Sequence, residues 1–172
     1  MNPIVSAESL KTIERASGYQ ALGMFDDALE ELDSLSSPDR ECPPAVLIRA
    51  EIFNAQKQFA QAVEWLRAHE ANCSGHSAWF ILAAYATRRA KNIGEAREIL
   101  RKGVVCFPKE WLMLYNLACY ETQLGNTGHA LLLLEKAVKL HANCRALAAQ
   151  DPDFAPLKND PLFLGLLDGS IG

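Results

Sequence analysis

Several things are missing from this sequence, and each absence narrows what it can be. No segment is apolar for long enough to span a bilayer; the longest mostly apolar stretch, Ala78 to Ala86, is too short. No Cys-x-x-Cys pair occurs, and the five cysteines at 42, 73, 106, 119 and 144 are odd in number, so buried reduced thiols are expected rather than a disulfide framework. The start, Met1 to Leu10, has no basic flank leading into an apolar run, so no secretory signal is expected and the expected compartment is the cytoplasm. There is no excess of positive charge. The net charge is -4, which argues against affinity for phosphate backbones, so no nucleic-acid partner and no membrane insertion are expected.

Enzyme signatures are missing as well. There is no phosphate-cradling Gly-rich loop, no nucleophile elbow and no His-Glu-x-x-His. Glu51 is an acid without an evident partner for proton transfer. The expectation is a chain that is not an enzyme and carries no cofactor. Its 172 residues, with 49% apolar and 22% charged, suit one domain with a sizeable core.

What is present is a period. Ala28, Ala62, Ala96 and Ala130 recur at 34 residues, as do Ala16, Ala50, Ala84 and Ala118, and Leu32, Leu66, Leu100 and Leu134. A weaker column reads Phe25, Phe59, Ile93, Thr127, and another, Tyr19, Phe53, Thr87, Glu121, fades toward the C-terminus. The units are then 9–42, 43–76, 77–110 and 111–144, inside one domain of residues 1–172. Each unit reads as two helices. In the fourth, helix A runs from about Glu110 to Leu124, Gly125-Asn126 breaks it, and Ala130, Leu131, Leu134, Ala137 and Val138 mark helix B. Gly23 sits at the same break in the first unit, and Asp26-Asp27 opens its helix B, where negative charge suits a helix N-terminus. Pro38, Pro43-Pro44 and Pro108 fall between units.

The small columns have a steric reason. An alanine in each helix leaves no side chain to hold the two backbones apart, while the leucine and the aromatic fill the seam to the next pair. One pair cannot bury its apolar face alone, but a stack can.

This pattern resembles the tetratricopeptide repeat over about residues 9–144: small residues at the eighth and twentieth positions, an aromatic at the seventeenth, a large apolar residue at the twenty-fourth. Pro108, Leu117, Gly125 and Ala137 match further family positions. No unit has the family's tryptophan at position four, Lys57 stands where glycine is usual, and Arg15 occupies a normally apolar place. The resemblance implies an all-α, right-handed solenoid of four antiparallel helix pairs with a C-terminal capping helix. After Cys144, Ala146 to Gln150 should finish a helix, Asp151-Pro152-Asp153-Phe154 should turn, and Asp160-Pro161 should open a last helix to about Leu167. This tail resembles the close of many bacterial arrays of the family, and its four aspartates read as caps and turns rather than as metal ligands.

The resemblance also implies a binding groove lined by helix A. Its positions fall on Leu10, Ile13, Ser17 and Gln20; on Leu47, Glu51 and Asn54; on Ile81, Tyr85, Arg88 and Arg89; and on Leu112, Tyr115, Cys119 and Thr122. The apolar and tyrosine content suits an extended or helical peptide. One family subtype clamps a C-terminal carboxylate with Lys and Asn, but those places hold Ile13, Ser17, Ile48, Ala78 and Leu82. The expected function is a non-catalytic scaffold that binds a protein or peptide partner in this groove. The alternatives are a self-assembling homo-oligomer, with the groove idle or filled by the chain's own tail, Phe163 to Ile171, and a small secretion-type chaperone.

Two further features belong with these. Residues 1–42 hold nine acids and three bases, whereas residues 77–110 hold seven bases and three acids, among them Arg88, Arg89, Lys91, Arg97, Arg101 and Lys102. A solvated face explains most of this, and steering of an acidic partner is the alternative. His69, Cys73 and His76 have ligand-like spacing, yet the end of a packed helix B accounts for them better than a metal, and no metal site is expected.

Overall fold

The structure, a computed structural model, describes residues 5–170. Among the described residues there is no strand; the chain is a succession of α-helices, in the tetratricopeptide-like arrangement that the period implied. It divides into two compact units, one up to Ala90 and one from Lys91 on, and the division falls inside the third 34-residue period.

In the first unit α1 (Ala7–Ala21) packs on α2 (Phe25–Ser34). A short helix α3 (Ser37–Arg40) leads to α4 (Pro43–Ala55), which packs on α5 (Phe59–Ala68). A second short helix α6 (Glu70–Cys73) precedes α7 (Ser77–Ala90), which lies against both α5 and α4. In the second unit α8 (Ile93–Cys106) packs on α9 (Trp111–Gln123), and α9 on α10 (Thr127–Leu140). Then come α11 (Cys144–Gln150), a 3-10 helix Pro152–Leu157 against α9, and α12 (Pro161–Asp168) against α11 and α10.

Local signals set the helix ends. The Ser6 hydroxyl accepts from the Ser9 amide, and the Asn92 side chain accepts from the Glu95 amide. Asp160 accepts from the amides of Leu162 and Phe163, with Pro161 following at the first helical position. The turns between paired helices use a left-handed residue at one register: Gly23 at φ 75°, Lys57 at φ 61° and Gly125 at φ 80°. Glycine adopts that conformation without steric cost, whereas the Cβ of Lys57 is crowded there. The fourth member of the column, Lys91, is not left-handed; the α7–α8 turn uses Asn92 in extended conformation as its cap instead.

Every alanine and leucine of the three strict columns is at most 1% exposed. In the first unit Ala16, Ala28 and Leu32 sit in one cluster with Ile13, Leu35, Cys42, Ala45 and Ile52. The fading column stays inside even where it turns polar: Thr87 and Glu121 are buried. Glu121 is accommodated because the Asn126 amide donates to it at 2.6 Å, His129 Nδ1 lies 3.2 Å away and Arg97 4.0 Å away.

The links after helix B in the first unit carry short helices, α3 and α6, and Pro38 and Pro43 stand in the first turns of α3 and α4. Residues 146–150 finish a helix as expected, the short α11, which begins at Cys144 after a break at 141–143.

Candidate peptide-binding face

Helices α1, α4 and α7 are neighbours in the first unit, since α4 packs on both α1 and α7. Of the residues expected to line a groove here, Ser17 is exposed and Gln20, Leu47, Glu51, Ile81 and Arg88 are half-buried. Burial pushes the Glu51 carboxyl above its ordinary value. The exposed end of α7 carries a compact cluster. The Tyr85 ring meets Phe59 of α5 edge to face at 6.0 Å. The Arg89 guanidinium lies 4.6 Å from the Tyr85 ring centre and 5.9 Å from that of Phe59, and it donates to the Tyr85 hydroxyl at 3.3 Å. Tyr85 is 39% exposed and Arg89 is exposed. An arginine spaced four residues after a tyrosine on one helix is the signal that marks this pair.

A parallel contact sits nearer α2. Arg49 pairs with Asp33, lies 5.2 Å from the Trp65 ring centre, and Trp65 donates its indole N–H to the Val46 carbonyl. The Arg49–Trp65 contact has no local sequence signal, because it joins residues 16 apart on two helices.

Several expected groove residues lie elsewhere. Ile13 and Asn54 are buried; the Asn54 amide donates to the Leu82 carbonyl at 3.4 Å and so ties α4 to α7. In the second unit Tyr115, Cys119 and Thr122 are buried and do not present a free surface. Thr122 donates to the Ala118 carbonyl of its own helix. Tyr115 donates to Asp151 at 3.0 Å, the Cys119 thiol approaches the same carboxylate at 3.6 Å, and Gln123 donates to the Asp153 carbonyl at 2.6 Å. The Phe154 ring meets Tyr115 edge to face at 5.6 Å. Burial, then the neighbouring Cys119 and Asp151, hold the Tyr115 phenol far above its ordinary value, so it stays a donor. The chain's own Asp151–Phe154 therefore covers the face of α9 on which a ligand was expected.

The residues 69, 73 and 76 do not form a ligand set. The His69 ring lies tilted against Trp65, with centroids 3.9 Å apart and Nδ1 2.8 Å from the Trp65 carbonyl. Cys73 is fully buried, and burial, with Cys42 adding to it, pushes its thiol up to about 11. His76 is exposed. The group of ligand-type side chains that does converge among the described residues is Cys119, Asp151 and Asp153, with ligand atoms within 4.8 Å of one another. The contacts just given already explain that convergence as the attachment of the tail. A polar cleft of about 460 Å³ lies in the second unit, lined by Arg97, Arg101, Glu121 and the start of α10.

No described helix is long and apolar enough to cross a membrane. No family model matches the chain, and no curated protein matches it. Solved structures do. One described as the MamA RS-1 ArsTM double mutant is 16% identical with a TM-score of 0.67, covering 78% of this chain and 76% of that one. A crystal structure of MamA is 12% identical with a TM-score of 0.71, covering 89% and 88%. Another crystal structure of MamA protein is 13% identical with a TM-score of 0.67, covering 94% and 85%. At such identities the likeness concerns the fold, and the fold that this chain shares with MamA is that of a tetratricopeptide-like helical protein.

Proposed function

We propose that this chain is a non-catalytic protein-interaction module that holds a polypeptide segment on the face shared by α1, α4 and α7. The observation that carries the reading is the pair of exposed side chains Tyr85 and Arg89 on α7, set against the half-buried Phe59 of α5. Tyrosine and arginine contribute most where partners are held, because they offer large area, stacking and hydrogen bonds at low entropic cost. Ser17, Gln20, Leu47, Glu51, Ile81 and Arg88 are the remaining lining in this reading. The likeness to MamA, a tetratricopeptide-like helical protein, supports an interaction role at the level of the fold.

The test compares capture from native extract by the wild-type chain and by the double variant Tyr85→Ala, Arg89→Ala. The variant should keep its helical circular dichroism and lose the bound partner. Equal capture by both proteins would remove this reading. A second reading, a homo-oligomer, is favoured by the apolar exposure of Val105 at 80% and Leu132 at 58% in the second unit. Sedimentation that shows only monomer at high concentration would dispose of it.

A further inference from the structure

The tail of this chain shows what one helix-A face accepts. On α9 the residues Tyr115, Cys119 and Gln123 are spaced by four and share a face. That face receives an acidic, aromatic segment: one aspartate carboxylate on the first two side chains, a backbone carbonyl on the third, and the Phe154 ring against Tyr115. One period earlier, on α7, the same register holds Ile81, Tyr85 and Arg89. The apolar place is kept by Ile81. Ile81 lacks the Tyr115 hydroxyl, whereas the other two donor places are strengthened, since a phenol replaces a thiol and a guanidinium replaces an amide. Arg89 is stacked on two rings and bonded to a hydroxyl, and among the described residues no ion pair occupies it.

We infer that the α7 face binds an extended acidic segment of the Asp-Pro-Asp-Phe kind from another protein, with a carboxylate held by Arg89 and Tyr85 and an aromatic side chain laid against Ile81 and Phe59. This rests on the reading of α7 as a ligand-binding face. The charge of the site supports the occupant, because α7 carries Arg89 at its exposed end. The register also explains why the neighbouring helix does not repeat the site: the corresponding residues of α4 are Leu47, Glu51 and Ala55, which put an acid where a donor is needed. The tail of a second copy is a poor occupant. Its Phe154 and Leu157 are each 1% exposed within their own chain, and withdrawing them would open that core.

The test uses the full chain and three labelled synthetic heptapeptides, followed by fluorescence anisotropy: Asp-Pro-Asp-Phe-Ala-Pro-Leu, the same peptide with both Asp replaced by Asn, and the same with both replaced by Lys. The acidic peptide should bind about tenfold more tightly than the Asn peptide, since a hydrogen bond to a charged group is stronger than a neutral one. Arg89→Glu should remove that preference and favour the Lys peptide, and added salt should weaken the acidic peptide most. Arg89 is an exposed end-of-helix residue, and Arg89→Gln serves as a second variant if Arg89→Glu loses helicity. Equal binding of all three peptides, lost in Tyr85→Ala, would overturn the acidic specificity and leave the binding face standing. Acidic binding unaffected by either Arg89 variant would overturn the location. Failure of every peptide to bind would overturn this inference, while the reading under it is overturned only by equal capture from extract by wild type and the Tyr85→Ala, Arg89→Ala variant. Self-association of the peptide-free chain that Arg89→Glu abolishes would overturn the choice of a separate partner.

Discussion

α7 and α9 stand one period apart and differ in what lies on them. On α9 Tyr115 and Cys119 are buried under the chain's own Asp151–Phe154, whereas on α7 the corresponding end is exposed and carries an arginine stacked on aromatics. A repeat makes faces of the same geometry, but a ligand finds only those that the rest of the chain leaves uncovered. The covered face is stable because its polar groups are satisfied and its aromatics buried. The uncovered one keeps donors and rings at the surface, at some cost in burial.

The contrast can be broken most severely by removing the cover. Phe154→Ala deletes a ring that is 1% exposed and touches both Tyr115 and Phe163, so unfolding free energy in urea should fall by about 3–5 kcal/mol. No loss would mean that the tail does not hold α9. Tyr115→Phe leaves the ring and removes the donor to Asp151; a loss of about 1–2 kcal/mol is expected, and an unchanged midpoint would show the hydrogen bond to be dispensable. By contrast Tyr85→Phe, at the exposed end of α7, should leave stability nearly unchanged, within about 0.5 kcal/mol.

Smaller effects sharpen the comparison between periods. Lys57→Gly relaxes a left-handed residue at the register where Gly23 and Gly125 already stand, and a gain of about 0.5–1 kcal/mol in thermal unfolding is expected. Destabilisation would mean that the lysine side chain contributes more than its backbone costs. Glu51 gives the smallest effect and a pH signature. Its folded carboxyl titrates above the ordinary 4.5, so the unfolded chain loses the proton first, and stability declines as pH rises through and beyond 4.5. Glu51→Gln should therefore stabilise slightly at pH 7 and have no such benefit below pH 4; a benefit independent of pH would assign the effect to packing.

Much of the fold was legible because steric demands repeat with the period. Ala16, Ala50, Ala84 and Ala118 must be small wherever two helices touch, and all four are buried. The helix starts at Asp160 and the breaks at Gly23 and Gly125 follow from local chemistry that needs no knowledge of the rest. The site was less legible. Groove positions taken over from the family picked out Tyr85 and Arg89, which are exposed, but also Tyr115, Cys119 and Thr122, which are not. Whether a helix-A residue meets solvent depends on a segment some 30 or more residues away, and no period contains that. The Arg49–Trp65 and Arg89–Phe59 contacts were invisible for a similar reason, since each joins side chains of different helices.

Sequence alone determined the all-helical repeat, its 34-residue step, the positions of its small and large core residues and the capped last helix, because these depend on spacing along one helix or on the chemistry of a single turn. Only the tertiary structure decided that Asp151–Phe154 lies on α9, that Glu121 is buried among Asn126, His129 and Arg97, and that Arg89 rests on Phe59 and Tyr85. Each of these is a meeting of side chains from separate elements, and it is packing between elements, not local preference, that chooses which surface is buried and which remains for another molecule.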